Sequence, residues 1–126
     1  MKYLIVNADD FGLSDYINEG IIKAHKAGAI TNATLMIMRE YKREAVRLAK
    51  ENPSLCVGLH LDLDELLGGA ERGPERFEMG RISEALSDRS FLREVESEIE
   101  AQIRDFKRTG LKLTHIDGHH HLHAIP

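Results

Sequence analysis

Short continuous apolar runs alternate along this chain with stretches whose apolar residues recur at helical spacing, and that alternation restricts the possible folds severely. Tyr3-Leu4-Ile5-Val6 reads as a strand buried on both faces. Asn7 to Gly12 breaks the run with polar residues and glycine. Ser14 then stands where an N-cap belongs, with Asp15 in the first turn; Ile17, Ile21 and Ala24 follow on one face, and Gly28 marks the stop. A second strand reads Ala33 to Met38. A charged helix follows from about Arg39 to Glu51, turning Tyr41, Ala45, Leu48 and Ala49 inward. Asn52-Pro53 ends it, because the residue before proline avoids the helical region. Leu55 to Leu61 is the third strand. Residues 62–88 carry Gly68, Gly69, Gly73, Pro74 and Gly80 and read as a long excursion, with a short helical piece near Ile82–Leu86. A third helix runs from Ser90 to Arg108 with Leu92, Val95, Ile99, Ile103 and Phe106 on one stripe. Gly110 closes it, and Leu111 to Ile116 reads as the fourth strand.

The order β-α-β-α-β-(loop, α)-β implies parallel strands joined by right-handed crossovers. The fold class is therefore α/β, either an open sheet or part of a (β/α) barrel. The 126 residues suit one domain, residues 1–126. In both architectures the functional edge is the carboxyl end of the strands, where the βα loops gather.

Bulk chemistry removes several function classes. A net charge of −4 and a pI near 6.0 argue against a nucleic-acid binder relying on positive charge. The longest apolar stretch near the start, Leu4-Ile5-Val6, is far too short for a signal-peptide core or a membrane span. The single Cys56 lies in an apolar run and is expected to be a small buried hydrophobe in a reducing compartment, the cytoplasm.

The chemically able residues do fall at expected strand carboxyl ends. Asp9 and Asp10 follow strand 1, His60 ends strand 3, and Asp117 to His123 follow strand 4. Alone, Asp9-Asp10 could be a solvated acidic turn that helps to start a helix. Alternatively one carboxylate binds a metal and the other moves a proton, and spacing does not say which does which. His60 shares a strand face with Gly58 and Asp62, a polar face that is unexpected in a buried strand unless it lines a site; the alternative is a hydrogen-bonded core histidine. Of seven histidines in the chain, five stand between His115 and His123. An affinity tag is normally uninterrupted and outside the fold, whereas this cluster is interrupted by Leu122 and continues a strand. An open catalytic metal site needs about three protein ligands, so the remaining groups are better placed behind them, fixing the tautomer of a ligating imidazole. An Asp-His-His set suits a divalent ion with open positions, and the chemistry it permits is metal-assisted hydrolysis.

Other catalytic patterns fail. There is no Gly-x-Gly-x-x-Gly and no phosphate-binding Gly-Lys-Ser/Thr loop, Ser14 and Ser54 lack nucleophile-elbow glycines, and Cys56 has no electropositive setting. Glu94, Glu96, Glu98 and Glu100 read as a solvated helix face, and His25 as a surface residue near a helix end.

Three segments, Asn7-Ala8-Asp9-Asp10-Phe11-Gly12, Gly58-Leu59-His60 and Thr114-His115-Ile116-Asp117-Gly118-His119-His120-His121-Leu122-His123, together resemble the YdjC-like carbohydrate deacetylases, in order and across the whole chain. The resemblance implies a distorted (β/α) barrel of the polysaccharide-deacetylase type, a divalent metal usually assigned as magnesium, and removal of N-acetyl groups from amino sugars or chitooligosaccharides. By position it makes Asp10, His60 and His119 the metal ligands and Asp9 the general base. Asp117, His121, His123 and Asp62 are left as supporting or substrate-contacting groups. Two imidazoles and a carboxylate suit Zn²⁺ or Co²⁺ better than Mg²⁺. A (β/α) barrel needs about 250 residues, so four strands imply an incomplete barrel lacking its carboxy-terminal strands and the family's candidate general acid. The exposed apolar edge this leaves predicts a homo-oligomer of weak or no activity. Two other functions fit the same residues: a metal- or sugar-binding module without turnover, and hydrolysis of another bond such as a phosphodiester.

Overall fold

A computed structural model describes residues 2–66 and 87–124, with side chains as far as His121. The elements follow in the order β1 (Asn7–Phe11), α1 (Asp15–Lys26), β2 (Asn32–Leu35), α2 (Lys42–Glu51), β3 (Cys56–Leu61), α3 (Arg89–Arg108), β4 (Ile116–Gly118) and a 3-10 segment (His119–Ala124). All three strand pairings are parallel and the sheet order is β1-β2-β3-β4, the sequential order that a (β/α) barrel uses. The α/β class with crossover helices is thus as expected. The helical piece near Ile82–Leu86 and the side chain of His123 lie outside the described residues.

The register divides the sheet into two chemically distinct faces. Ala8, Ala33 and Val57 stand side by side, as do Leu35 and Leu59. With Phe11, Ile21, Ile22, Ala45, Ala49, Leu55 and Phe106 they form the buried core against the helices. The alternate positions Asn7, Thr34, Gly58, His60 and Asp117 share the other face, because side chains alternate along a strand. The strands are therefore half apolar and half polar, and the polar half carries the candidate chemistry.

Two expectations are corrected by this register. Tyr3-Leu4-Ile5 is not the buried part of strand 1; all three side chains are exposed, and the ladder begins where Thr31 and Asn32 donate to the Val6 carbonyl. The register sets Asn7 opposite Asn32, so continuing it backwards would place Tyr3 opposite the Gly28 turn, where there is no strand to pair with. Asp9 and Asp10 consequently lie within β1 rather than after it. Cys56 is exposed, not buried. It begins β3 on the polar face, opposite Asn32, while Leu55 and Val57 take the apolar side.

Smaller differences concern element ends. Strand 4 is paired over Ile116–Gly118, later than Leu111–Ile116, although Thr114 and His115 already bond the β3 backbone. The second helix starts at Lys42, after a turn through Arg39 and Tyr41. Helix α1 begins as expected: the Ser14 hydroxyl accepts from the Ile17 amide, and Gly28 takes φ +77° just past the end. Along α3 only the C-terminal half is buried, through Gln102 and Phe106, while Leu92 is 41% exposed. His25 is not a plain surface group, since its ring bridges the Ile30 carbonyl and the Ser54 hydroxyl.

Candidate metal centre

The site begins with an irregularity in β1. Pairing with β2 shifts register between Ala8 and Phe11, and Asp10 takes a left-handed φ of 64°. Such a bulge adds a residue to one strand and re-aims the side chains around it. Two adjacent carboxylates, which a regular strand would send to opposite faces, are thereby both brought to His60. Asp10 groups with His60 and His119, and Asp9 groups with His60 and Asp117.

His60 is nearly sealed, at 2% exposure. A carboxylate can only accept, so the His60 Nδ1–H donates to Asp117 Oδ1 at 2.7 Å, with the Thr34 hydroxyl nearby at 3.3 Å. Thr34 and the Asn7 amide donate to the other oxygen of Asp117 at 3.1 and 3.3 Å. This tautomer leaves the lone pair of His60 Nε2 pointing towards Asp10 Oδ1, 3.3 Å away, and His119 Nδ1, also 3.3 Å away. His119 Nδ1 lies 3.1 Å from the same Asp10 oxygen.

Asp10 Oδ1 is buried and has no hydrogen-bond partner, although two imidazole nitrogens face it. Converging acceptor atoms on a buried carboxylate oxygen is unfavourable unless something positive lies between them. The spacing fits a cation: bonds of about 2.0–2.2 Å put neighbouring ligand atoms about 3–3.5 Å apart. The three residues thus fit a divalent ion by donor type, separation and burial. Burial lowers the pKa of His119, and the neighbouring His120 acts in the same direction, against the opposing pull of Asp10 and Asp64. A neutral imidazole is the form that binds metal.

Asp9 stands beside this set with its Oδ1 accepting from the Asn7 amide at 2.7 Å. Asp117 lies behind His60, the placement that orients ligating histidines. Asp62 is turned elsewhere: its carboxylate pairs with Arg39 Nε at 2.6 Å, and its backbone N–H donates to Gln102. His121 is exposed, at φ 55° in the bent 3-10 segment, and is in none of the potential metal-holding groups among the described residues.

Several residues of this region were not marked in the sequence. Asp64 is buried, accepts from Arg39 Nη2 at 2.7 Å, and lies 3.3 Å from His120 Nε2. Asn7 joins Asp9, Asp117, Thr34 and His115. Gln102 holds both the N–H and the carbonyl of Asp62. Asp64 had a visible signal as the next member of the alternation His60, Asp62, Asp64, and Asn7 as the first residue of the motif Asn7–Gly12, whereas Gln102 had none.

The family model described as YdjC-like protein matches residues 3–126. The chain is 46% identical to a carbohydrate deacetylase of Brevibacillus brevis, covering 98% of this chain and 51% of that one. It is 43% identical to a carbohydrate deacetylase of Oceanobacillus iheyensis, covering 94% and 54% respectively. A crystal structure from Enterococcus faecalis V583, of a protein provisionally named for cellobiose-phosphate cleavage, superposes with a TM-score of 0.71 at 31% identity, over 94% of this chain and 49% of that one. The chain spans about half the length of the curated relatives it matches. With a matching model across nearly its whole length and the motif residues gathered at one rim, the chain belongs to the YdjC-like protein family.

Proposed function

We propose that this chain carries the metal-binding half of a carbohydrate deacetylase, which hydrolyses the N-acetyl group of an amino sugar or chitooligosaccharide. The observation that carries the proposal is the buried, partnerless Asp10 Oδ1 faced by His60 and His119 at ligand spacing. The names of the relatives support the substrate class.

Asp10, His60 and His119 are the proposed ligands. A divalent ion held there supplies Lewis-acid polarisation of an acyl oxygen and acidification of water. Asp9 is the proposed general base: it borders the set without belonging to it, and Asn7 occupies one of its oxygens, leaving the other for a water proton. Asp117 keeps the His60 Nε2 lone pair directed inward. Donor type favours Zn²⁺ or Co²⁺, whereas the family resemblance favours Mg²⁺. Residues 1–126 form one domain in this proposal, an incomplete barrel that supplies the ligands and the base but not the acid. Asp62, His121 and His123 have no part in the ligand set and are left to substrate contacts. An unpaired, exposed Cys56 fits a reducing cytoplasm.

Acetate release from N-acetylglucosamine oligomers by the full-length parent tests the proposal. Release that is lost on Asp9→Asn and on chelation is expected. Sugar and metal binding without acetate would convert the proposal into a binding module, and no release from any acetylated sugar would overturn the substrate class.

A further inference from the structure

Beneath the proposed ligands lies a second polar layer, of which the deacetylase proposal uses the Asp9 and Asp117 carboxylates but not His115. The Asn7 side chain lies at its centre. Its Nδ2 is 2.7 Å from Asp9 Oδ1, 3.3 Å from Asp117 Oδ2 and 3.2 Å from Thr34 Oγ1. Its Oδ1 is 3.0 Å from His115 Nε2, and His115 Nδ1 is 2.8 Å from the Thr114 hydroxyl. His115 lies directly on Gly58: a Cβ at that position would stand 2.6 Å from the His115 carbonyl and 2.7–2.8 Å from its ring carbons. The glycine of Gly58-Leu59-His60 is thus the space that the His115 ring requires.

The donor and acceptor inventory gives this layer a direction. An amide can turn over, exchanging its oxygen and nitrogen. Turned over, Asn7 would set its oxygen against the two carboxylates of Asp9 and Asp117, leaving acceptor facing acceptor. The orientation seen gives both carboxylates an N–H, and it requires a donor at Asn7 Oδ1. His115 Nε2 is the group placed to supply it, and in a neutral ring this leaves Nδ1 to accept the Thr114 hydroxyl proton, for which the Val57 carbonyl at 2.9 Å competes.

We infer that His115 is a positioning residue: by donating from Nε2 it holds Asn7 in the one orientation that aims Asp9 at the site and braces Asp117 behind His60. The inference rests on the proposed roles of Asp9 and His60, and it adds a residue outside the proposed ligands and base, hydrogen-bonded to Asn7 and Thr114. His115 acts through Asn7 on both halves of the machinery at once, the base through Asp9 and the ligand set through Asp117.

The test uses residues 1–126 and does not need turnover. Long-range proton–nitrogen NMR spectra at pH 8 are expected to show the His115 ring protonated at Nε2, and the Asn7 side-chain amide in slow exchange with water. His115→Phe, which keeps a ring over Gly58 but has no donor, should speed that exchange and weaken Co²⁺ binding by about tenfold, the lower end for groups that support a ligand from behind. His115→Gln, whose amide nitrogen reaches the position of Nε2, should restore slow exchange and bring affinity back to within about twofold of the wild type. An unprotonated Nε2 in the wild type would overturn the inference, as would a Phe variant with unaltered Asn7 exchange. Failure of Co²⁺ to bind any variant would instead remove the metal proposal, while the ring tautomer and Asn7 exchange would still decide the role of His115.

Discussion

Asp10 holds a backbone conformation that a β-strand residue does not adopt without cause. A non-glycine residue at positive φ costs about 1–3 kcal/mol, and such strain gathers where surrounding structure needs it for function. Asp10, His120 and His121 are the non-glycine residues at positive φ among those described, and all lie at or beside the candidate metal centre. Replacing Asp10 by glycine removes both the strain and the partnerless carboxylate. Asp10→Gly should therefore match or exceed the wild type in metal-free thermal midpoint while losing the rise that Zn²⁺ produces in the wild type. A variant clearly less stable than the wild type without metal would show that the carboxylate serves the fold. The lowered pKa of His119 has a consequence with a definite sign. Because the folded state resists protonation there, the unfolded chain takes up the proton first as pH falls below about 6.5, and the fold loses stability from that point down to the folded value. Metal-free melting between pH 7.5 and 5 should show a fall that is smaller in His119→Asn; an equal fall in both would exclude this source. Sequence alone left the division between Asp9 and Asp10 open, and the family resemblance supplied it. Neither could have revealed the bulge, which depends on how β1 registers against β2.

Among the elements, α3 shows where burial follows sequence periodicity and where it stops. Its apolar stripe runs evenly from Leu92 to Phe106, yet only the last two turns reach the sheet, with Phe106 sealed and Leu92 exposed. Truncating a sealed phenylalanine costs about 3–5 kcal/mol, whereas an exposed apolar side chain costs within about 0.5 kcal/mol. Phe106→Ala should shift the urea midpoint sharply and Leu92→Ala scarcely; comparable losses would mean the N-terminal half of α3 is packed after all. The element order and the caps of α1 were legible in the sequence because Ser14, Gly28, Pro53 and Gly110 act locally. Strand 1 was displaced for an equally physical reason. Its residues Asn7, Asp9 and Asp10, the last two within the bulge, belong to the candidate site, so the polar residues that mark function also disguise the strand, and the exposed Tyr3-Leu4-Ile5 imitates it. The ion pairs of Arg39 with Asp62 and Asp64, and the bond of Gln102 to Asp62, are not legible in the sequence because each contact joins segments far apart along it.

At the scale of the molecule, four strands in sequential order form a sheet whose β1 and β4 edges are unpaired among the described residues. Tyr3, Leu4 and Ile5 are exposed beside one of these edges, and Ile116 is 46% exposed at the other. Exposed apolar groups beside open strand edges promote association. Residues 1–126 should therefore self-associate at micromolar concentration in light scattering, and Leu4→Glu should reduce the associated fraction; a stable wild-type monomer would contradict this. No described helix is long and apolar enough to cross a membrane. The central claim is that Asp10, His60 and His119, and not their neighbours, hold one divalent ion. Equilibrium dialysis of residues 1–126 against Zn²⁺ addresses it directly, with Mg²⁺ as competitor and with Asp10→Gly, His60→Ala, His119→Ala, Asp9→Asn and His121→Ala as variants. One ion per chain is predicted, not displaced by equimolar Mg²⁺, lost in the first three variants and retained in the last two. Retention by His119→Ala with loss in His121→Ala, or no specific uptake by the wild type, would contradict the account.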